Sequence, residues 1–270
     1  MLIRVGYDIE FDLPAPAPML TVLNLHPSRM PTVVKPEIMR VSPDVPLTHF
    51  YDSFGNFCGR LHAPAGRLRL TNEAVVTDTG RLDEYSPDAV QHKVEDLPDD
   101  ALQFLLASRY CDVDVLSDTA WSLFGHTREG WSRVAAICDY VHDRLTFSYP
   151  NARSTRTASD AFNERSGVCR DFTHLAITFC RAMNVPARYA TGYLGDLGVP
   201  YDPNPMDFSA WFEVYLSGRW WTFDARHNKR RIGRVLMARG RDAVDCALTT
   251  AFGTAYLRKF HVISDEVESY

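Results

Sequence analysis

The sequence predicts an α+β protein with a β-sandwich-like first region, residues 1–100, and a mixed second region, residues 101–270. Three observations carry this. Residues 1–100 alternate apolar and polar positions between frequent turn signals, as short antiparallel strands do. A charged turn, Glu95-Asp96-Leu97-Pro98-Asp99-Asp100, marks the boundary. Beyond it, two stretches of helical periodicity precede a run of strands that includes a hairpin.

Val5, Tyr7, Ile9 and Phe11 alternate with polar residues and give the first strand. The run Pro14-Ala15-Pro16-Ala17-Pro18 breaks the pattern, and residues 20–25 resume it. Residues 52–57 carry a turn signal around Gly55, and residues 61–77 follow as strand, most clearly at Arg67-Leu68-Arg69-Leu70-Thr71. Residues 103–110 form a connector. Trp131, Val134, Cys138, Val141 and Leu145 then fall at helical spacing, with Thr127 as the expected N-cap. Residues 157–163 read as a short helix.

The next helix organises the second region. Ser166 is its expected N-cap, which places Cys169 in the first turn, at the positive end of the helix dipole. That field favours the thiolate, the form that attacks a carbonyl. Phe172, Ala176, Cys180 and Met183 continue a core-facing stripe, and Asn184 and Pro186 end the helix. Residues 187–194 are a strand, and residues 195–206 a polar loop that borders any cleft. Residues 208–216 and 219–226 make a hairpin about Ser217-Gly218. Residues 233–242 read as a solvated basic loop, and residues 243–252 and 259–264 as closing strands.

Composition narrows the function classes. The chain has 270 residues, 46% hydrophobic and 23% charged, with a net charge of −5. Lys and Arg form no runs, so nothing invites nucleic acid or an anionic membrane surface. No apolar run is long enough to span a bilayer, and the acid-bearing N-terminus does not read as a signal peptide. The six cysteines lack CxxC pairs and zinc spacing, which points to reduced thiols in a cytoplasm and to no metal or organic cofactor. Cys111, Cys138, Cys180 and Cys246 read as buried apolar residues.

A thiol nucleophile needs a base, and the base an orienting partner. With a two-residue loop at 217–218, Tyr215 faces Trp220, Trp211 faces Asp224 and Ser209 faces Arg226. Ser209 and Asp224 are then diagonal neighbours, about 7–8 Å apart. A histidine at 209 would reach Asp224; a serine is too short.

The blocks Gly167-Val168-Cys169-Arg170-Asp171-Phe172-Thr173-His174, Ala187-Arg188-Tyr189, Gly192-Tyr193, Ala210-Trp211-Phe212-Glu213-Val214-Tyr215 and Trp221-Thr222-Phe223-Asp224 occur in this order. In them the chain resembles the bacterial transglutaminase-like superfamily, whose members are often described as candidate cysteine proteases. The resemblance covers roughly residues 100–250 by these blocks, after a β-rich region of the kind that commonly precedes this domain. It implies a papain-like core, with a cysteine-bearing helix packed on an antiparallel sheet. It implies thiol-dependent hydrolysis or acyl transfer at amide or peptide bonds of a peptide or protein substrate. Cys169 matches the nucleophile and Asp224 the orienting acid. The position of the expected histidine holds Ser209, which has no useful basicity near neutral pH.

Three accounts of Ser209 remain open. Another base serves, with His227 the candidate, although strand alternation turns it to the other face unless the strand ends or bulges there. His174, about 140° around the helix from Cys169, packs behind it instead. Alternatively the site has lost turnover and the chain acts as a ligand- or partner-binding module. Or serine at 209 is an introduced change that traps an inactive form. Trp211 and Arg226 are the expected cleft residues, and a cation at Arg226 would help lower the thiol pKa.

Overall fold

The computed structural model describes residues 1–269. Seven strands open the chain: β1 (Leu2–Leu13), β2 (Ala17–Thr21), β3 (Val33–Lys35), β4 (Arg40–Ser42), β5 (Leu47–Tyr51), β6 (Phe57–Ala63) and β7 (Gly66–Thr77). Helices α1 (Asp99–Leu102), α2 (Val113–Phe124) and α3 (Trp131–Arg144) follow. After β8 (Thr146–Phe147), α4 (Ala158–Glu164) and β9 (Ser166–Gly167) comes the central helix α5 (Cys169–Ala182). The chain closes with β10 (Ala187–Leu194), β11 (Ser209–Leu216), β12 (Arg219–Phe223), β13 (Arg234–Gly240), β14 (Thr249–Ala251) and β15 (Tyr256–Val267).

The α+β class read from the sequence is the class observed. One sheet runs β15-β1-β7-β3, with β4 also on β7, and a second runs β14-β2-β6-β5. Alternate residues of β1 and β7, among them Ile3, Val5, Ile9, Leu68 and Leu70, share one apolar core with Met19 and Leu61 of the second sheet. Side-chain alternation in paired strands makes this a sandwich. The last strand belongs to it: β15 pairs antiparallel with β1 from Leu2↔Val267 to Asp12↔Tyr256. Tyr193, Val235 and Met237 from the middle of the chain enter the same core, so the two regions pack continuously.

The third sheet, β12-β11-β10-β13, lies against α5. Ala210, Phe212, Val214 and Leu216 of β11 meet Phe172, Leu175, Ala176 and Phe179 of α5 in the second core. These strand positions alternate and these helix positions recur at three and four, so each element offers one apolar face to the other. Nearly every residue of α5 after Arg170 is buried. Among the described residues no helix is long and apolar enough to cross a membrane.

Several elements differ from the sequence reading. Strand β2 starts inside the proline run and stops at Thr21, because Pro18 needs no ladder donor and still offers its carbonyl to the Phe252 N–H at 2.9 Å. Helix α2 was not anticipated, although Leu116, Ala120 and Phe124 are buried at four-residue spacing along it. Helix α3 starts after Gly130; Thr127 instead donates its hydroxyl to the Phe124 carbonyl at 2.6 Å. The expected basic loop at 233–242 is largely strand β13. Val235, Leu236, Met237 and Ala238 are buried, and the arginines between and beside them are ion-paired: Arg234 with Asp224, Arg239 with Glu213 and Arg241 with Asp245.

Candidate active site

The tip of α5 is assembled locally. Val168, not Ser166, is the N-cap, so Cys169 is the first helical residue. Asp171 folds back and accepts the Val168 N–H at 2.9 Å, while Arg156 pairs with the same carboxylate at 3.1 Å. Ser166 and Gly167 lie one turn further out, paired with Thr146 and Phe147 in a parallel bridge. The Ser166 hydroxyl accepts from Asn151 and caps nothing. Gly167 is required here: a Cβ would lie 2.5 Å from the Asp171 Cβ.

Cys169 is packed against the α5 core and half-buried. The backbone N–H groups of Ala210 and Arg170 favour its thiolate. The thiol nevertheless does not follow the dipole expectation. Burial pushes it up to about 11, and Asp207 adds to that rise; Arg226 and the two N–H groups oppose it without winning. Desolvation disfavours the thiolate more than the helix end favours it. Asp207 is a site residue that sequence reasoning missed. Its own carboxyl is raised by burial, against the Phe208 N–H and Arg226. The available signal was its place two residues before Ser209, in the segment that leads into β11.

The hairpin keeps its expected register at the turn, with Tyr215↔Trp220 and Leu216↔Arg219, and both Ser217 and Gly218 at positive φ. It ends sooner than expected. The last rung is Phe212↔Phe223, so Trp211 has no strand partner at Asp224 and Ser209 none at Arg226. Ser209 pairs instead with Gly192 of β10. It is buried, its carbonyl accepts from Thr191 Oγ1 at 2.9 Å, and its own hydroxyl has no partner. Trp211 is core rather than open cleft wall: it is buried with Ala190 and Leu236, and Arg234 lies over its ring at 5.1 Å.

Where the strand stops, residues 224–228 turn back, and Asn228 N–H bonds the Asp224 carbonyl. That turn brings His227 to Asp224, which strand alternation alone would have prevented. Asp224 Oδ1 accepts the N–H groups of Arg226 and His227, each at 3.0 Å. Oδ2 receives His227 Nδ1 at 2.8 Å and Arg234 Nη2 at 2.9 Å. Four partners fill the four lone-pair sites of a carboxylate. Despite its burial, Arg234 and His227 hold the Asp224 carboxyl far below the usual range. Arg234 also grips Asp83 at 2.9 Å, which ties this turn to the loop after β7. The Arg226 guanidinium does not pair with Asp224; it lies 4.0 Å over the Phe147 ring. His174 packs behind the helix, stacked on Tyr110 and accepting the Ala243 N–H. Among the described residues no group of three His, Cys, Asp or Glu side chains is placed to hold a metal ion.

The profile of the transglutaminase-like superfamily matches residues 120–225, the stretch holding Cys169, Ser209 and Asp224. The solved structure of a candidate cysteine protease from Cytophaga hutchinsonii superposes over all of this chain and 92% of its own, with 31% identity and a TM-score of 0.82. The chain belongs to the transglutaminase-like superfamily. An uncharacterized protein of Mycobacterium leprae is 24% identical over 194 residues, covering 69% of this chain and 68% of that one. The periplasmic domain of TgpA from Pseudomonas aeruginosa aligns with 83% of this chain and 90% of its own, at 13% identity and a TM-score of 0.39. The family match covers the stretch with the thiol-bearing helix expected of a thiol-dependent enzyme family, and the Cytophaga hutchinsonii structure superposes on the sandwich as well.

Proposed function

We propose that this chain carries out thiol-dependent hydrolysis or acyl transfer at amide or peptide bonds. Cys169 is the attacking atom, and His227, the imidazole that Asp224 orients, is the proton acceptor in place of a residue at 209. The contact that carries this reading is His227 Nδ1 to Asp224 Oδ2 at 2.8 Å, which leaves Nε2 as the free nitrogen. Such a carboxylate fixes the tautomer and steadies the imidazolium when it forms.

In this scheme the Cys169 sulfur bonds the carbonyl carbon as its proton passes to the base. The oxyanion is met by the Cys169 N–H at the helix tip. The C–N bond then breaks, and the amine leaves with the proton returned by the base. The thioester passes its acyl group to water or to a second amine.

A second reading is favoured by two observations. With the thiol near 11, about one part in ten thousand is thiolate at pH 7. The charges that bear most on Cys169 are Asp207 and Arg226 rather than His227. On that reading the chain is a binding module whose acyl-transfer chemistry is impaired.

Kinetics on an amide substrate separate the two. If His227 is the base, His227→Ala lowers kcat about 10²–10⁴-fold and Ser209→His adds little. Activity that appears only in Ser209→His establishes the impaired reading instead. Failure of iodoacetamide to label Cys169 at any pH sinks the nucleophile role altogether.

A further inference from the structure

We infer that Arg226 is the anion-recognition residue of the Cys169 site and takes a carboxylate of a peptide ligand beside the bond to be attacked. This rests on the thiol site being the place where a peptide lies.

The position of Arg226 is fixed from three sides. Its N–H is held by Asp224 Oδ1 at 3.0 Å, and its carbonyl accepts from His142 Nδ1 at 2.8 Å. Its guanidinium carbon lies 4.0 Å over the Phe147 ring. Phe147 is paired with Gly167, two residues before Cys169, and its ring is 5.0 Å from that of the half-exposed Tyr149. The backbone and the ring together bring this cation to the mouth of the α5 tip. The Asp224 turn thereby gains a second role: the carboxylate that orients His227 also sets the residue before it.

Its charge has no counter-ion. Among the described residues no carboxylate comes within ion-pair distance of the Arg226 guanidinium, and its side chain makes no hydrogen bond. Other arginines around the third sheet and the helix tip are ion-paired. Arg234 holds Asp224 and Asp83, Arg188 and Arg239 share Glu213, and Arg156 holds Asp171 and Glu164. Asp207 and Asp202 feel the charge of Arg226 from beyond contact. Stacking on a ring occupies the face of a guanidinium and leaves its edge of N–H donors free. That edge matches a carboxylate in a bidentate fork, which a lysine does not. A peptide offers a carboxylate from two sources, its C-terminus or an acidic side chain.

The test uses the Cys169→Ala chain, so that nothing depends on thiol chemistry. Three probes are titrated by NMR: acetyl-trialanine with a free carboxyl end, the same peptide amidated, and acetyl-Ala-Glu-Ala amide. At least one carboxylate-bearing probe is expected to bind about tenfold more tightly than the neutral one. Whichever does so names the source. The advantage disappears in Cys169→Ala/Arg226→Gln and survives in part in Cys169→Ala/Arg226→Lys, which keeps the charge without the fork. Thermal melts of the variants check the fold; if the Gln variant is unstable, a preference left undiminished in the Lys variant overturns the inference. Equal binding of all three probes, binding of none, or a preference that persists in the Gln variant overturns the inference. A Cys169 thiol that iodoacetamide never labels sinks the nucleophile role and leaves this measurement intact.

Discussion

The tip of α5 and the turn at Asp224 each bury an ionisable group, and they treat it in opposite ways. Asp224 receives four donors, two from the backbone, one from His227 and one from Arg234, and stays charged far into acid. Cys169 has the N–H groups of Ala210 and Arg170 and the more distant Arg226, set against burial and Asp207, and keeps its proton to about 11. Burial opposes the charged form at both places. The difference is the number and nearness of donors. The turn holds a permanent anion that organises its surroundings, whereas the tip holds a neutral thiol that becomes nucleophilic only when its proton is taken.

The comparison is most sharply broken at Arg234, whose side chain is buried and joins Asp224 to Asp83. Arg234→Met leaves both carboxylates without their cation. Urea unfolding is expected to show a loss of about 3–5 kcal/mol, the range for breaking a buried pair from one side. A loss under about 1 kcal/mol would place the pair among surface bridges and remove the contrast. The two groups also imply opposite pH windows for stability. The depressed Asp224 carboxyl stabilises the fold above its unfolded value near 4 and is lost as pH falls through the lower folded value. The raised Cys169 thiol contributes fully below about 8.5, its unfolded value, and is lost as pH rises toward 11.

The sequence reveals the helix tip more fully than the turn, for a local reason. Cys169, its apolar stripe and the hairpin register depend on helical and strand periods, which can be read over a few residues. Ser166 was a plausible cap by residue type, but Asp171 reaches back across the tip and makes Val168 the cap. The turn depends on where a strand stops. Once the ladder ends at Phe223, Asp224 leaves the alternating pattern, His227 comes round to it, and Arg226 moves away from Ser209. Arg234 comes from ten residues further on and Asp83 from the other side of the chain, a pairing that no local spacing announces. Asp207 was hidden similarly, since its influence on the thiol comes from the segment leading into β11 being brought to the helix end.

A smaller effect is expected at Asp207. If the tip lacks donors and is burdened by an extra carboxylate, Asp207→Asn lowers the Cys169 pKa from about 11, and Arg226→Gln raises it. The midpoint of the iodoacetamide alkylation rate against pH measures both. Unchanged midpoints would mean that burial alone sets the thiol and that the charged neighbours are too far away to matter.

The smallest effect is expected at Ser209. The four places on Asp224 are taken, so the serine has no part in that network, and its buried hydroxyl is bonded to nothing. What Ser209 does contribute is its carbonyl to Thr191 and its strand pairing with Gly192, both of which alanine keeps. Removing an unpartnered buried hydroxyl relieves a desolvation cost. Ser209→Ala is therefore expected to unfold within about 0.5 kcal/mol of the parent, on the stabilising side if anywhere, with an unchanged Cys169 alkylation profile. A loss above about 1 kcal/mol would reveal a partner for the hydroxyl. A shifted alkylation profile would connect the serine to the thiol. Either result would join tip and turn through position 209, where the structure holds them apart.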